Sequence, residues 1–385
     1  NWFSSLQEVM QLTDSSNSIQ QLRKIGQSVW LDNVYRSLIT SGDLQKLIDL
    51  GVTGLTSNPT IFQKAISAGS DYDESMTRHA ESGKDAVGVF EALAIEDIVS
   101  VADLLAPVYQ RTGGADGFAS LEVNPHLAHD TQGTISEARR LFKLMGRPNI
   151  MIKVPGTPEG IPAIRQLISE GINVNVTLIF SLKAYADVRE AYISGQEAFY
   201  RSGGDPSTVS SVASFFVSRV DTAVDAAISE AVNAGNKTLG SLLGKAAISN
   251  ARVAYQEFGR SFGEDRFVAL KEEGALVQRP LWASTSTKNP ALSDVLYVEE
   301  LIGPDTVNTL PDATLAAFLD HGTAQQTLDG DIEDATDTLF ALEAAGIKMD
   351  DITAKLLEDG LMSFADSYDE VVENVDSKRA SLVRG

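Results

Sequence analysis

One lysine lies in an otherwise apolar run at residues 149–155, whose composition predicts a buried β-strand. Side chains alternate along a strand, so Met151, Lys153 and Pro155 share the face that points into the fold. An ammonium ion is costly to remove from water, so confinement favours a neutral amine, which can form a Schiff base with a ketone. Lys153 is therefore a candidate nucleophile; a lysine that reaches water along its own stem is the structural alternative.

Two carboxylates, Asp32 and Glu122, also lie at the ends of apolar runs. Schiff-base chemistry transfers protons during imine formation and again during carbon–carbon cleavage, and two carboxylates can share these transfers. The structural alternative is an ion pair with Lys153 or a cap at a strand end, because structural ion pairs perturb such groups as well.

Cations and hydroxyls cluster near the ends of two later runs. The cations are Arg219 and Lys288, and three serines accompany them: Ser214, Ser284 and Ser286. Arginine can hold a phosphate group through two parallel hydrogen bonds, so this composition predicts a phosphate site. For Arg219 alone, a salt bridge to Asp221 is the structural alternative.

Short β-rich runs alternate with helical segments along the whole chain, which is typical of βα units on a parallel sheet. Eight strands are predicted, at residues 28–34, 51–57, 117–123, 149–155, 172–180, 210–221, 279–285 and 306–310. Eight strands close a (β/α)8 TIM barrel, an α/β fold whose active site lies at the C-terminal ends of the strands. The candidate residues lie at or near those ends, so the fold predicts that they meet.

Helical segments beyond this alternation are also predicted. The connections at 59–114 and 222–274 are long enough for two or more helices each, and helices at 331–345 and 351–379 follow the last strand. We expect these last helices to pack across the barrel, with residues 1–385 forming one domain whose strands fall within 28–320. The helix at 351–379 is our hypothesis for a cover that shields a reactive intermediate from water.

Two kinds of sequence signal mark helix ends. Glycine directly precedes a predicted strand at Gly51, Gly171 and Gly274, where it can close a helix in the left-handed conformation. Residues 134–137 read TISE, the pattern of a capping box, and predict a helix that opens at Thr134.

Composition argues against several classes of function. With 31 Lys+Arg and 53 Asp+Glu the net charge is -22, and an acidic surface repels nucleic acid and anionic lipid. The absence of cysteine excludes disulfides, thiol nucleophiles and cysteine-ligated metals. No run approaches the ~18 apolar residues of a spanning helix, and residues 1–4 lack the layout of a signal peptide. We expect a cytoplasmic protein that is a monomer or homodimer.

Five segments together resemble the transaldolase family. GVTGLTSNPTIF at 51–62 is similar to its first signature, and IMIKVPGT at 150–157 is similar to the segment around its Schiff-base lysine. NVNVTLIFS at 173–181, SFFVSRVD at 214–221 and WASTSTKNP at 282–290 follow in family order. The resemblance runs from the first predicted strand to the eighth. Some long members are fused to a glucose-6-phosphate isomerase, and the sequence leaves that possibility open.

The resemblance implies transfer of a dihydroxyacetone unit from sedoheptulose 7-phosphate or fructose 6-phosphate to glyceraldehyde 3-phosphate or erythrose 4-phosphate. This is a reaction of the pentose phosphate pathway and uses no metal or organic cofactor. Lys153 would form the Schiff base, and Asp32 would act as acid and base on the substrate hydroxyl. Glu122 would act through a water molecule held by Thr177.

The resemblance also implies seven substrate-binding residues: Asn58, Ser214, Phe216, Arg219, Ser284, Ser286 and Lys288. Asn58 and Ser214 would orient donor hydroxyls, and Phe216 would line the pocket. Arg219, Lys288 and one of the two later serines would hold the phosphate. Shorter transaldolases usually carry arginine at the position of Lys288.

Two other functions remain as alternatives. A metal-dependent barrel enzyme could use His126, His129 and Asp130, which follow the third predicted strand and Glu122; activity in the presence of a chelator would exclude it. A barrel that only binds a sugar phosphate would keep the phosphate-site residues and differ from the enzyme at Lys153 and the two carboxylates.

Overall fold

The barrel is the central feature of the computed structural model, which describes residues 17–330 and 332–382. Eight parallel strands pair in chain order and close on themselves. They are β1 (Gln27–Leu31), β2 (Val52–Leu55), β3 (Ala119–Glu122), β4 (Ile150–Pro155), β5 (Val174–Ile179), β6 (Ser211–Phe216), β7 (Arg279–Ala283) and β8 (Thr306–Leu310). The predicted (β/α)8 TIM barrel is therefore confirmed.

Helices surround the barrel and fill both long connections. Up to β4 they are α1 (Ser18–Ile25), α2 (Arg36–Thr40), α3 (Asp43–Leu50), α4 (Pro59–Ser67), α5 (Asp73–Glu81), α6 (Ala86–Arg111) and α7 (Thr131–Met145). After β4 they are α8 (Gly160–Ile168), α9 (Leu182–Arg201), α10 (Ser218–Asn233), α11 (Ala246–Gly263), α12 (Asp265–Glu272), α13 (Leu296–Glu299), α14 (Asp312–His321), α15 (Ile332–Ala344) and α16 (Met349–Leu382). The connection at 59–114 holds α4 to α6, and that at 222–274 holds most of α10 with α11 and α12, as predicted.

The largest error in the predicted strands concerns β6, which was expected to run to Asp221. The strand ends at Phe216, and α10 begins at Ser218. The apolar and serine-rich sequence suits a buried strand and a buried helix start equally well, and an acidic residue in the first turn favours the helix. Arg219 therefore extends from the first turn of a helix. Most other predicted strands are one to three residues too long at one or both ends.

Helix ends follow one of the two predicted signals. Gly51, Gly171 and Gly274 all have positive φ, at 122°, 81° and 97°, so the predicted helix-closing glycines are confirmed. The capping box at Thr134 is wrong, because α7 begins one turn earlier. There Asp130 accepts a hydrogen bond from Gly133 N at 2.9 Å and caps the helix, while Thr134 donates to the carbonyl of Leu127.

The long C-terminal helix α16 lies over the barrel mouth, as expected for the helix at 351–379. Its side chains reach back to helices α4 and α5: Asn374 donates to Ser67, and Lys378 pairs with Asp73 at 2.5 Å. Residue 331, the expected start of the preceding helix, and residues 1–16, including the segment tested for a signal peptide, lie outside the described residues. Within the described ranges, no helix is long and apolar enough to cross a membrane.

The barrel is closely packed around Trp30. Trp30 on β1 is fully buried, and its indole donates to Asp116 at 2.8 Å. The ring lies against Gly54 on β2, where a Cβ atom would come within 2.5 Å of the indole. The glycine is therefore required by the size of Trp30.

We expect Gly54→Ala to lower the free energy of unfolding by about 1–3 kcal/mol, because the added methyl group overpacks the barrel against Trp30. The matched control is Gly259→Ala on α11, where a Cβ atom would meet nothing within 4 Å. That change is expected to be neutral or to stabilise the helix by up to about 1 kcal/mol. Urea unfolding of both variants measures the difference, and equal effects would show that the indole tolerates the methyl group.

Candidate active site

A cavity of about 350 Å³ opens where the C-terminal ends of the strands converge. Its size is typical of a site for a small molecule. Ten of the predicted site residues line it: Asp32, Asn58, Lys153, Thr177, Ser214, Phe216, Arg219, Ser284, Ser286 and Lys288. The remaining one, Glu122, contacts Lys153 and lines a smaller neighbouring cavity. The structure thus brings all eleven residues to one end of the barrel.

Lys153 is 5% exposed and lies on β4, paired in register with Glu122 on β3. Its Nζ donates to the carbonyl of Ser57 at 2.9 Å and lies 3.4 Å from Glu122 Oε2. The ring of Phe364, on α16, is centred 5.9 Å from the same nitrogen. The amine is therefore held at the base of the cavity by a carbonyl and a carboxylate, rather than reaching bulk water along its stem.

Burial dominates the electrostatics of both carboxylates. It raises the pKa of Glu122, although the neighbouring Lys153 charge acts in the opposite direction. Burial also raises the pKa of Asp32, against the opposing effects of Lys153, a hydrogen bond from Thr56 and the charge of Arg219. A raised carboxyl pKa brings the protonated form closer to neutral pH, which suits a group that must both give and take a proton.

Two buried oxygens next to Lys153 have unused hydrogen-bonding capacity. Thr177 Oγ1, on β5, makes no hydrogen bond to any described residue. Glu122 Oε2 makes none beyond its 3.4 Å contact with Lys153. Buried polar atoms of this kind normally bind water or a ligand. The two oxygens lie on the strands that flank β4, one on either side of the lysine.

Asn58 and Ser214 are each partly committed to structure. Asn58 Oδ1 accepts from Ile61 N at 2.9 Å and caps α4, which leaves the amide NH2 group for the cavity. Ser214 Oγ donates to Asn175 Oδ1 at 2.7 Å, and the amide of Asn175 donates to Ser120. Ser214 keeps its acceptor capacity toward the cavity.

The Arg219 guanidinium lies over the ring of Phe216, with Cζ 5.3 Å from the ring centroid. Burial lowers the pKa of Arg219, which means that the charge is only partly compensated. The alternative salt bridge to Asp221 is wrong. Asp221 instead accepts from Ala247 N at 2.7 Å and from Tyr297 Oη at 2.8 Å.

The two serines after β7 have different surroundings. Ser286 Oγ accepts from Lys288 Nζ at 2.7 Å, so hydroxyl and cation lie together. Ser284 has a positive φ of 56°, and its hydroxyl lies 3.0 Å from that of Ser218. Ser286 is therefore the serine associated with the cation.

Sequence reasoning missed several residues of the cavity: Thr56, Thr60, Ile61, Lys64, Ala283, Thr309, Pro311, Ser363 and Phe364. Thr60 and Lys64 could have been found, because they are four residues apart on the helix that starts beside Asn58 and so share a face. Phe364 has no local signal, since only the path of α16 brings it to Lys153.

The histidines of the metal alternative have other partners. His126 Nε2 lies 2.8 Å from Asp369 on α16, and His129 Nδ1 lies 3.3 Å from Glu159. Both imidazoles are largely exposed. The described ranges contain no group of three or more His, Cys, Asp or Glu residues placed to hold a metal ion. The structure does not assemble the site that this alternative required.

Comparison with known proteins gives a consistent result. The family model for transaldolase/fructose-6-phosphate aldolase matches residues 29–375. A protein of Trichodesmium erythraeum called transaldolase is 43% identical over 95% of this chain and 99% of its own length. A transaldolase of Saccharopolyspora erythraea is 46% identical over 94% of this chain and 98% of its own. One of Mycobacterium marinum is 43% identical over 97% and 100%.

We expect Thr56→Val to raise the pKa of Asp32 further, because it removes the 2.7 Å hydrogen bond that favours the carboxylate. Carbon-13 NMR of the aspartate carboxyl carbons during a pH titration measures the shift. Thr338→Val, at a buried threonine on α15, is the control for loss of a hydroxyl elsewhere. An unchanged or lower Asp32 pKa in Thr56→Val would show that burial alone sets it.

Proposed function

This chain belongs to the transaldolase/fructose-6-phosphate aldolase family, and on that basis we propose that it is a transaldolase that works through a Schiff base on Lys153. The donor is a ketose phosphate, sedoheptulose 7-phosphate or fructose 6-phosphate, and the acceptor is glyceraldehyde 3-phosphate or erythrose 4-phosphate. The observation that carries most weight is the burial of the Lys153 amine in a cavity that Asp32 also lines, with Glu122 3.4 Å from the amine; burial raises the pKa of both carboxyl groups.

The first step is attack of the neutral Lys153 amine on the C2 carbonyl of the donor. The carbinolamine then loses water, which requires a proton for the departing hydroxyl. Glu122 lies 3.4 Å from the amine and supplies that proton through a water molecule held by Thr177. The unused hydrogen-bonding capacity of the Glu122 and Thr177 oxygens supports this assignment.

The second step breaks the bond between C3 and C4. Asp32 takes the proton of the C4 hydroxyl, the aldose phosphate leaves with a new carbonyl, and the electron pair remains on the lysine-bound fragment as an enamine. The acceptor aldehyde then forms a new carbon–carbon bond, Asp32 returns the proton, and water releases the product ketose. Asn58 orients the donor hydroxyls through its amide NH2 group, because its Oδ1 already accepts from Ile61 N. Ser214 does so through its Oγ as an acceptor, because its hydroxyl proton is already donated to Asn175.

The substrate phosphate binds to Arg219, Lys288 and Ser286. Each cation lines the cavity, and Ser286 already accepts from Lys288. A phosphate supplies the negatively charged partner that the buried Arg219 guanidinium lacks. Of the two serines, we favour Ser286 because Ser284 faces Ser218.

Transfer requires the enamine to survive until an aldose arrives, which depends on exclusion of water and stray protons. Two aromatic rings support this protection. Phe216 lines the cavity from β6, and Phe364 is 4% exposed and lies over the lysine from α16. We propose that α16 covers the site through Phe364.

The proposed partners are sugar phosphates alone, in a cytoplasmic enzyme. The chain carries a net charge of -22, which disfavours nucleic acid and anionic lipid. The proposed reaction is proton transfer and imine chemistry, for which a lysine and two carboxylates suffice without metal or organic cofactor.

Incubation with fructose 6-phosphate and borohydride tests the Schiff base by intact-protein mass spectrometry. The wild type should gain one reduced three-carbon unit, and Lys153→Ala should gain none. Lys143→Ala, which changes an exposed lysine on α7, is the control and should behave as the wild type. If folded wild-type protein gains no adduct, the chain is not a Schiff-base enzyme and the sugar-phosphate-binding alternative gains support.

Phe364→Ala should raise the release of free dihydroxyacetone relative to transfer, because water reaches the enamine more easily. The ratio is measured with fructose 6-phosphate in the presence and absence of erythrose 4-phosphate. Met362→Ala, on the same helix but 60% exposed, is the matched control. An unchanged ratio in Phe364→Ala, with adduct formation intact, would show that α16 does not protect the intermediate.

A further inference from the structure

Three cationic side chains around the cavity lack an acidic partner. Arg219, Lys288 and Lys64 all line it, and none forms an ion pair within residues 17–330 and 332–382. Several other described cations, Lys143 among them, also form no ion pair, so the feature that distinguishes these three is that they line one cavity. Lys64 makes no hydrogen bond to any other described side chain or carbonyl. Its ammonium group is therefore available to an anion in the cavity, as are the two cations already assigned to the phosphate.

The contacts of helix α4 place Lys64 beside the cavity. It lies on α4, which begins where β2 ends and is capped by Asn58. One turn earlier on the same face, the hydroxyl of Thr60 lies 2.8 Å from the hydroxyl of Ser367 on α16. This hydrogen bond links α4 to α16, the helix that covers the cavity. Lys64 therefore contributes to the cavity from the β2 side, whereas Arg219 and Lys288 follow β6 and β7.

We propose that Lys64 is a further specificity residue of this site, which recognises the phosphate group of the sugar substrates. The proposal rests on the function proposed above for the identity of the anion. Lys64 would add a third positive charge to the approach taken by a phosphorylated sugar, so it would favour phosphorylated over unphosphorylated substrates.

The physical effect follows from exposure. Lys64 is solvent-exposed, so its attraction to a dianionic phosphate is moderate and is screened by salt. Positive charges at the mouth of a cavity in an acidic protein also raise the local concentration of anionic substrate. Both effects change substrate capture rather than the chemical steps at Lys153.

The test compares Lys64→Gln with Lys64→Arg, which keeps the charge, and with Lys143→Gln, which removes an exposed lysine charge on α7. We expect Lys64→Gln to raise the KM for fructose 6-phosphate about three- to tenfold with little change in kcat. Added salt should reduce the difference. Lys64→Arg should restore most of the affinity, and Lys143→Gln should have the wild-type KM.

Two further measurements separate the possible causes. Borohydride trapping with dihydroxyacetone, which has no phosphate, should be affected far less than trapping with fructose 6-phosphate. Binding of inorganic phosphate, measured by calorimetry, should be weaker in Lys64→Gln than in Lys143→Gln. An unchanged KM and phosphate affinity, or equal loss with both ketones, would overturn the proposal. If the wild type forms no adduct at all, the proposed function fails, while phosphate binding still tests Lys64 directly.

Discussion

The arrangement depends on one constraint, the burial of a lysine amine inside a closed barrel. Lys153 can lie there because its amine donates to the carbonyl of Ser57 at 2.9 Å and lies 3.4 Å from the carboxyl group of Glu122. Glu122 ends β3, the direct neighbour of β4, and Ser57 follows β2, the next strand along. Parallel pairing of β2, β3 and β4 therefore brings these groups to the same level. The same desolvation raises the pKa of Glu122 and of Asp32. Desolvation therefore determines both the environment of the amine and the raised pKa of the carboxyl groups that could exchange protons with it.

The ionisable side chains that line the cavity are mostly cationic, whereas the chain as a whole is acidic. Most of the other described arginines pair with acidic side chains, as Arg36 does with Asp97 at 2.5 Å. Among the described residues the Arg219 guanidinium forms no ion pair; it lies over the ring of Phe216 and is attracted to the charge of Asp32. A buried cation without a close carboxylate is unfavourable in the empty protein and becomes favourable when an anion binds. This difference supports the proposed phosphate site in a chain whose net charge is -22.

The sequence predicted the parts of this site that depend on local periodicity. The alternation of strands and helices predicted the barrel, and the period of two along β4 placed Lys153 inside it. The errors lie where two structures satisfy the same pattern: the sequence that ends β6 also begins α10, so the helical position of Arg219 was missed. Aspartate and threonine both suit the N-cap position, and the structure has Asp130 rather than Thr134 as the cap of α7. Lys64 was recoverable from helix spacing, whereas Phe364 depends on a contact far along the chain that no local rule describes.

The strand ends and the covering helix must fit one another, and the backbone at Leu178 takes part in that fit. Leu178 and Ser284 follow cavity-lining residues and have positive φ values of 57° and 56°, which side chains with a Cβ atom disfavour. At Leu178 the pairing with β6 shifts register, and the side chain packs against Gly360 of α16. A Cβ atom at Gly360 would lie 3.0 Å from the Leu178 side chain and 3.7 Å from Arg219 Nη1. Glycine at residue 360 therefore lets the helix pack closely on Leu178, whereas an added methyl group would make only an ordinary contact with the arginine. The wall of the cavity that carries Arg219 is consequently shaped by β5 and α16 together, which is why strands alone cannot account for it.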